Sequence, residues 1–239
     1  MANTFLSAAW KNLIMANYAV SPEILLPYLP KGTELDTWNG MHYVSLVGFM
    51  FENVRLLGLP IPFHTHFEEI NLRFYVRRKV DNEWRRAVVF IKEIVPKVMI
   101  SAVANIIYKE HYITLPMSHS KSIIEDTMNL AYNWKFEGIW NKIEVETAAK
   151  PLKMAAGTEA EFITEHYWGY TRIDSTTTFE YEVAHPRWDI FPVKSYKIEC
   201  ELAKLYGKVF QEMLEQPPIS VLVAEGSEIL VKSRKKLIL

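Results

Sequence analysis

The sequence predicts a mainly β (α+β) protein, a curved antiparallel sheet or barrel with two or three helices. Segments rich in aromatic and β-branched residues recur along the chain, and turn-forming residues separate them. Few segments have helical spacing or helix-capping signals. The 239 residues, 49% of them hydrophobic, suffice for a core without disulfides. Because no linker or repeat interrupts the chain, we expect a single domain over residues 1–239.

The first predicted elements are a short helix and a hairpin. Ser21 suits the N-cap of a helix, Pro22 suits its first turn, and Pro27 ends it. The pair Asn39-Gly40 tolerates positive φ and predicts a hairpin between strands at residues 34–38 and 41–51.

The clearest hairpin joins residues 64–78 to residues 84–95, because both runs are rich in β-formers and Asp81-Asn82 supplies the turn. Further strands are predicted at residues 101–108, 130–136, 139–147, 177–183, 219–224 and 228–232. We expect a turn at residues 225–227 between the last two.

Two later segments predict helices. Thr158 and Glu161 have the spacing of a capping box. Apolar residues recur at helical spacing from Cys200 to Leu214, and Pro217 ends this pattern.

Composition excludes several classes of protein. Aromatic residues make up 13% of the chain and the net charge is -1, which excludes intrinsic disorder and gives no strong field for nucleic acid or an anionic membrane. The single cysteine, Cys200, excludes a disulfide framework and a cysteine-rich metal site. Residues 1–18 lack a signal-peptide pattern, and no apolar stretch is long enough for a membrane helix. We therefore expect a cytoplasmic protein with no cofactor, nucleic-acid partner or membrane partner.

Strand alternation on the central hairpin gathers polar residues on one face. Glu69, Asn71 and Arg73 share this face, whereas Ile70 and its apolar neighbours share the other and must face a core. A turn centred at residues 81–82 places Lys92 opposite Asn71 and diagonal to Glu69, at about 7–8 Å. Inside a barrel, this pair could do acid–base work or bind a carboxylate or carbonyl group. The alternative is a solvated outer face with complementary charges.

Two other segments of the chain contain clusters of residues that suit a binding site. His64 and His66 point the same way on a strand and could share a metal with His119 or His185, but we favour structural or solvent-facing histidines and predict no metal site. Dense aromatic residues with histidine and arginine at residues 165–172 and 185–188 suit the rim of a small-molecule pocket, and equally suit a core.

Nine segments in order carry a family resemblance: 9–13, 29–33, 43–49, 71–76, 90–96, 115–117, 165–170, 185–188 and 224–227. Together they resemble the uncharacterised YqjF-like family, a domain of unknown function, over nearly the whole chain. More distantly, the layout resembles the acetoacetate decarboxylase superfamily, which implies an antiparallel barrel or cone with flanking helices. The resemblance to the YqjF-like family implies no known activity.

The decarboxylase resemblance also implies catalytic positions. The enzyme uses a lysine Schiff base, and its lysine pair follows an aromatic-proline dipeptide. The comparable residues here are Leu115-Pro116, followed by Met117, which cannot form an imine. The superfamily's glutamate matches Glu69, and its N-terminal arginine falls near Lys11.

These arguments select the candidate residues. The catalytic candidates are Glu69, Lys92 and Lys11. The substrate-binding candidates are Asn71, Arg73, Met117, His119, Tyr167, Trp168 and Arg172. We expect a barrel whose interior pocket binds a small organic carboxylate or carbonyl compound. Any enzyme activity would be lyase-like chemistry on a small keto or carboxylic acid, unlike that of a standard acetoacetate decarboxylase. The alternative is a catalytically inactive ligand-binding or scaffold protein. A homo-oligomer stays open, since unpaired edge strands favour self-association.

Overall fold

The computed structural model describes residues 3–200 and 202–239, which form mainly β-strands as predicted. The strands are β1 (Thr4–Val20), β2 (Glu34–Leu35), β3 (His42–Leu56), β4 (Leu59–Pro60), β5 (Phe67–Val80), β6 (Glu83–Val95), β7 (Tyr112–Thr114), β8 (Met117–Ile124), β9 (Thr127–Phe136), β10 (Ile139–Ala148), β11 (Trp168–Arg172), β12 (Thr177–Ala184), β13 (Ile190–Phe191), β14 (Val193–Glu199), β15 (Ser220–Lys232) and β16 (Lys235–Ile238). The helices are α1 (Pro22–Leu25), α2 (Val98–Ile107), α3 (Glu159–Thr164), α4 (Leu202–Tyr206) and α5 (Lys208–Leu214), and a 3-10 turn (Leu26–Tyr28) follows α1. The described part of the chain thus has five short α-helices, more than the two or three predicted.

Seven strands of the larger sheet close into a ring. Their order is β15-β1-β3-β5-β6-β11-β12, and β12 pairs again with β15 through Val183–Val231 and Ala184–Leu230. This arrangement confirms the barrel-or-cone prediction. The ring pairings are antiparallel except for β6 with β11, and β6 also pairs in parallel with β7 outside the ring.

Both faces of β5 are buried, which explains why this strand combines an apolar face with a polar one. A second sheet, β14-β10-β9-β8, packs outside the ring. Leu72 and Phe74 of β5 lie in the same core as Tyr132 and Trp134 of β9. The prediction of a core on this side of the hairpin is confirmed. The other face of β5, which carries Glu69, Asn71 and Arg73, lies on the inner side of the ring.

Residues 101–108 were predicted as a strand, but most of them form α2. An apolar run rich in valine and isoleucine fits either structure, and tertiary contacts decide between them. Here Asn105 Nδ2 donates to the Tyr112 carbonyl at 2.9 Å, and Asn105 Oδ1 accepts from the Tyr112 amide at 2.9 Å. This reciprocal pair fixes α2 against β7. No helix in the described ranges has the length and apolar character required to cross a bilayer.

The turn predicted at residues 225–227 is wrong, because β15 runs through it as one strand. Gly226 has φ +79, and a Cβ at this position would lie 1.9 Å from the Trp10 carbonyl oxygen. The glycine therefore lets β15 bend against β1 without ending. The predicted helix from Cys200 to Leu214 is also divided, since Gly207 with φ +90 separates α4 from α5.

Helix α3 begins where the capping signal predicts. Thr158 Oγ1 accepts from the Glu161 amide at 3.4 Å, and the Glu161 carboxylate accepts from the Gly157 amide at 2.6 Å. Phe162 of α3 packs against Tyr43 and Tyr75, with ring centroids 5.6 Å apart in both pairs. The helix thereby closes one end of the ring.

Candidate functional site

An internal cavity of about 140 Å³ lies on the inner face of the ring. Strands β1, β3, β5, β6 and β12, helix α2 and residues near α3 contribute to its wall. Most lining side chains are apolar or aromatic. The polar ones are Glu69, Asn71, Arg73, Tyr108, Glu93, Glu110, Tyr112, Thr164, His166, Tyr181 and His185. The predicted polar face of β5 therefore lies within the protein and not on a solvated surface.

Glu69 is held by two donors. Asn71 Nδ2 donates to its Oε1 at 2.9 Å, and the Tyr112 hydroxyl donates to its Oε2 at 2.9 Å. The side chain is buried, and burial raises the pKa of Glu69 to about 7 against the opposing effects of Asn71, Tyr112 and Arg73. A carboxyl that titrates near neutral pH can both accept and release a proton.

Two further glutamates, which the sequence analysis missed, line the cavity. Glu110 Oε1 accepts from Thr171 Oγ1 at 2.6 Å and from the Tyr181 hydroxyl at 2.9 Å. Burial, followed by the charge of Glu110, raises the pKa of Glu93 well above its usual value. Glu93 Oε2 has no hydrogen-bond partner within the protein. The protonated acid can therefore donate a hydrogen bond into the cavity.

The predicted pairing of Asn71 with Lys92 is wrong. Asn71 lies opposite Glu93, and Lys92 lies opposite Leu72, because the register shifts between Leu72 and Arg73. Ile91 is the additional residue of this β-bulge, and a one-residue shift moves side chains to the other face of a strand. Because bulges depend on how a sheet curves and packs, the sequence of the hairpin alone gave no signal for the bulge at Ile91.

Lys92 consequently lies on the outer side of β6. Its Nζ donates to the carbonyl of Leu205, and burial lowers the pKa of the amine. The side chain does not line the cavity, so the structure does not bring Lys92 and Glu69 together as predicted.

Arg73 is a buried cation on the cavity wall. Its Nη2 contacts Met15 Sδ at 3.7 Å, while its Nε has no hydrogen-bond partner. Within the described part of the chain, no carboxylate forms an ion pair with Arg73. Nearby His166 is neutral at pH 7, because burial lowers its pKa to about 4. Arg73 thus supplies the positive charge at this end of the cavity.

Four other predicted residues lie away from the cavity lining. Lys11 lies on β1 opposite Gly226 and Met50, and Met117 pairs with Trp134 in the outer sheet. His119 Nδ1 lies 2.6 Å from Glu68 Oε1, and Arg172 donates to the carbonyl of Pro27. The structure therefore does not bring these four residues together with Glu69 around the cavity. Adjacency on the chain gave no information on which face of the sheet each residue occupies.

Trp168 lines the cavity, whereas Tyr167 is not among the lining residues. The Tyr167 hydroxyl donates to Glu165, and its ring stacks on His185 with centroids 4.7 Å apart. In the described ranges, no three histidine, cysteine, aspartate or glutamate side chains are arranged to hold a metal ion.

Sequence comparison identifies relatives of the chain. The model of the DUF2071 family, described as an uncharacterized conserved protein, matches residues 7–228. The uncharacterized protein YqjF of Bacillus subtilis (strain 168) is 41% identical over 71 residues, which cover 29% of this chain and 29% of that protein. The aligned part therefore spans less than a third of the relative's length.

Solved structures share the fold at low sequence identity. The enduracididine biosynthesis enzyme MppR, complexed with the condensation product of pyruvate and imidazole 4-carboxaldehyde, has a TM-score of 0.69 and 12% identity, covering 100% of this chain and 90% of that one. An acetoacetate decarboxylase-like enzyme from Sphingomonas wittichii RW1 has a TM-score of 0.66 and 9% sequence identity, and the match covers 99% of this chain and 94% of that one. Acetoacetate decarboxylase from Legionella pneumophila has a TM-score of 0.62 and 14% sequence identity, and the match covers 99% of this chain and 90% of that one. These likenesses confirm the predicted acetoacetate decarboxylase-like fold.

Proposed function

Because this chain belongs to the DUF2071 family and has an acetoacetate decarboxylase-like fold, we propose that its cavity binds a small organic carboxylate or carbonyl compound. Arg73 is the observation that carries this proposal. A buried guanidinium without a carboxylate partner is costly, and an anionic ligand offsets that cost. The carboxylate of the ligand would take the place of the missing partner.

The neighbouring acids suit a carbonyl or hydroxyl oxygen on the same ligand. Glu93 has a free carboxyl oxygen, and its raised pKa favours the protonated form, which donates a hydrogen bond. A carboxylic acid kept neutral by an apolar site donates to a ligand oxygen more strongly than water does. Pyruvate, with which MppR is complexed in a solved structure, combines the two groups and is a suitable first compound to test.

The binding we propose is non-covalent. A Schiff base requires an amine beside the ligand carbonyl, and no lysine is among the described residues that line the cavity. Met117 occupies the position that the superfamily resemblance assigns to the lysine, and it lies in the outer sheet. Lys92 is directed to the other side of β6.

A second candidate function is acid–base catalysis on a bound keto acid, of the lyase-like kind. The pKa of about 7 for Glu69 favours it, because a general base works best with a pKa near the operating pH. The Tyr112 hydroxyl donates a hydrogen bond to the Glu69 carboxyl and would hold it in place. In this reaction Glu69 would take a proton from the carbon beside the ligand carbonyl.

A thermal-shift screen tests the binding proposal. Small acids, ketones and keto acids are compared with the amides of the same acids, because an amide keeps the shape and removes the charge. We expect the acids to raise the melting temperature of the wild-type protein and the amides to have little effect. No stabilisation by any compound would contradict the proposal.

Proton exchange distinguishes binding from catalysis. NMR in deuterated water would follow exchange at the carbon beside the carbonyl of pyruvate. Catalysis predicts exchange that Glu69→Gln slows by about 10²-fold or more. Stabilisation by pyruvate without exchange supports the ligand-binding function alone.

A further inference from the structure

We infer that the ligand is an amphiphilic acid, with its carboxylate at Arg73, an oxygen group beside Glu93 and Tyr112, and an unbranched apolar tail directed between α2 and the segment after β4. This inference rests on the proposed function and adds the class of ligand. It follows from the order of side chains along the cavity.

The inner face of β5 is graded from charged to apolar. From the end closed by α3, its cavity-lining residues run Arg73, Asn71, Glu69 and Phe67. Successive members of this series are about 6.6 Å apart, so Arg73 and Phe67 are separated by roughly 20 Å. A ligand bound along the strand therefore meets a cation first, hydrogen-bonding groups next and an aromatic wall last.

The end nearest Arg73 is closed. Tyr75, the next inward residue, packs on Phe162 of α3 with ring centroids 5.6 Å apart, and on His166 at 4.7 Å. Tyr75 is also anchored, because its hydroxyl lies 2.6 Å from Ser45 Oγ. An acid bound at Arg73 can therefore extend in one direction only, towards Phe67.

The other end is apolar and partly open to water. Phe51 and Phe67 stack there with centroids 4.9 Å apart. Beyond them the lining consists of half-buried apolar side chains from three separate segments, including Leu56, Ile61, Val103 and Ala104. A short acid would leave this surface in contact with water, whereas an apolar tail would cover it.

A series of straight-chain acids tests the inference. Wild-type protein is titrated with the acids from butyrate to decanoate, below the concentrations at which they form micelles. Binding is followed by calorimetry and by intrinsic tryptophan fluorescence, because Trp10, Trp168 and Trp188 line the cavity. We expect the Kd to fall by about fourfold for each added methylene until the tail reaches the mouth.

Two tryptophan substitutions on α2 provide the matched comparison. Ala104→Trp fills the mouth, whereas Ala102→Trp adds the same side chain to the same helix at a position that does not line the cavity. Ala104→Trp should keep the affinity for butyrate and lose the gain for longer acids, and Ala102→Trp should behave as wild type. If Ala104→Trp does not fold, Ile61→Ala in the segment after β4 replaces it. This variant should weaken octanoate binding without changing butyrate binding.

Different outcomes separate this inference from the proposed function. An affinity independent of chain length leaves the proposed function standing and overturns the apolar tail. A chain-length gain that persists in Ala104→Trp places the tail elsewhere and also overturns it. Failure of every acid to bind, together with pyruvate and the other compounds of the thermal-shift screen, contradicts both.

Discussion

Asn71 lies opposite Glu93 across the β5–β6 hairpin, because Ile91 forms a bulge two residues before Glu93. Without the bulge, the inward position would belong to Lys92. One additional residue thus exchanges a lysine for a third glutamate on the cavity wall. This exchange removes the amine that Schiff-base chemistry needs and adds an acid with a free oxygen.

Reductive trapping is predicted to fail. When the protein is incubated with pyruvate and borohydride, we expect no adduct by mass spectrometry, because no described residue lining the cavity is a lysine. Lys92→Met should bind pyruvate with wild-type affinity, since the Lys92 amine contacts the Leu205 carbonyl outside the cavity. A specific adduct on any lysine would contradict the non-covalent mode of binding.

Glu69 is predicted to make stability fall as the pH rises. Its pKa is about 7 in the folded protein against an ordinary 4.5, so the folded state binds more protons between these values. The contribution of protonated Glu69 to the free energy of unfolding is complete below pH 4.5 and is lost as the pH rises through about 7. The free energy of unfolding falls by up to about 1.4 kcal/mol per pH unit in this range. Glu69→Gln should reduce the total slope in urea unfolding measured across the range, and the slope that remains comes from Glu110 and Glu93, whose pKa values are also raised.

The comparison of variants removes the background that both proteins share, while the loss of the Glu69 charge also lowers the pKa values of Glu93 and Glu110. His166, with its pKa lowered to about 4, contributes a slope of the opposite sign that is common to both proteins and cancels. Glu83→Gln removes an exposed carboxyl from the same hairpin and serves as the control. Parallel pH profiles for wild type and Glu69→Gln would show that burial does not perturb Glu69.

Arg73→Met is predicted to stabilise the unliganded protein. The substitution replaces a buried cation without an ion pair by an apolar side chain of similar length, and the free energy of unfolding should rise by about 1 kcal/mol or more. Arg86→Met is the matched control. Its guanidinium binds Asp36 at 2.8 Å, so its loss leaves this buried carboxylate with the longer contact to Arg77, at 4.0 Å, and should destabilise the protein. If both variants destabilise equally in chemical denaturation, Arg73 has a structural role.

Gly169→Ala is predicted to disturb the wall around Glu110. A Cβ at residue 169 would lie 2.2 Å from Cζ of Tyr181, whose hydroxyl donates to Glu110. The ring must move, at a cost of about 1–3 kcal/mol in unfolding free energy. Adding Tyr181→Leu should relieve the clash, so the double variant should be more stable than the sum of the two single effects predicts. Simple additivity would contradict this close approach.

The sequence was informative where the alternation of side chains along a single strand determines the outcome. Alternation along β5 placed Glu69, Asn71 and Arg73 on one face, and the structure has all three on the cavity wall. It was uninformative where distant segments meet. Glu110 and Tyr181 reach the site from separate elements, and local patterns carry no signal for such contacts.

Two segments were predicted with the wrong secondary structure, because contacts with distant residues determine their conformation. The apolar residues 101–108 fit a strand as well as a helix, and the bonds between Asn105 and the Tyr112 backbone favour the helix. Residues 225–227 resembled a turn because Gly226 tolerates positive φ, but its function is to let β15 pass close to Trp10.

Calorimetric titration with 4-oxopentanoate, which carries both a carboxylate and a carbonyl, tests the central claim most directly. Wild type and Arg73→Met are compared after both have been shown to fold. The account predicts that the substitution weakens binding by about thirtyfold or more, because the bound carboxylate loses its buried cation. Equal affinities for the two proteins would contradict the assignment of Arg73 as the anion-binding residue.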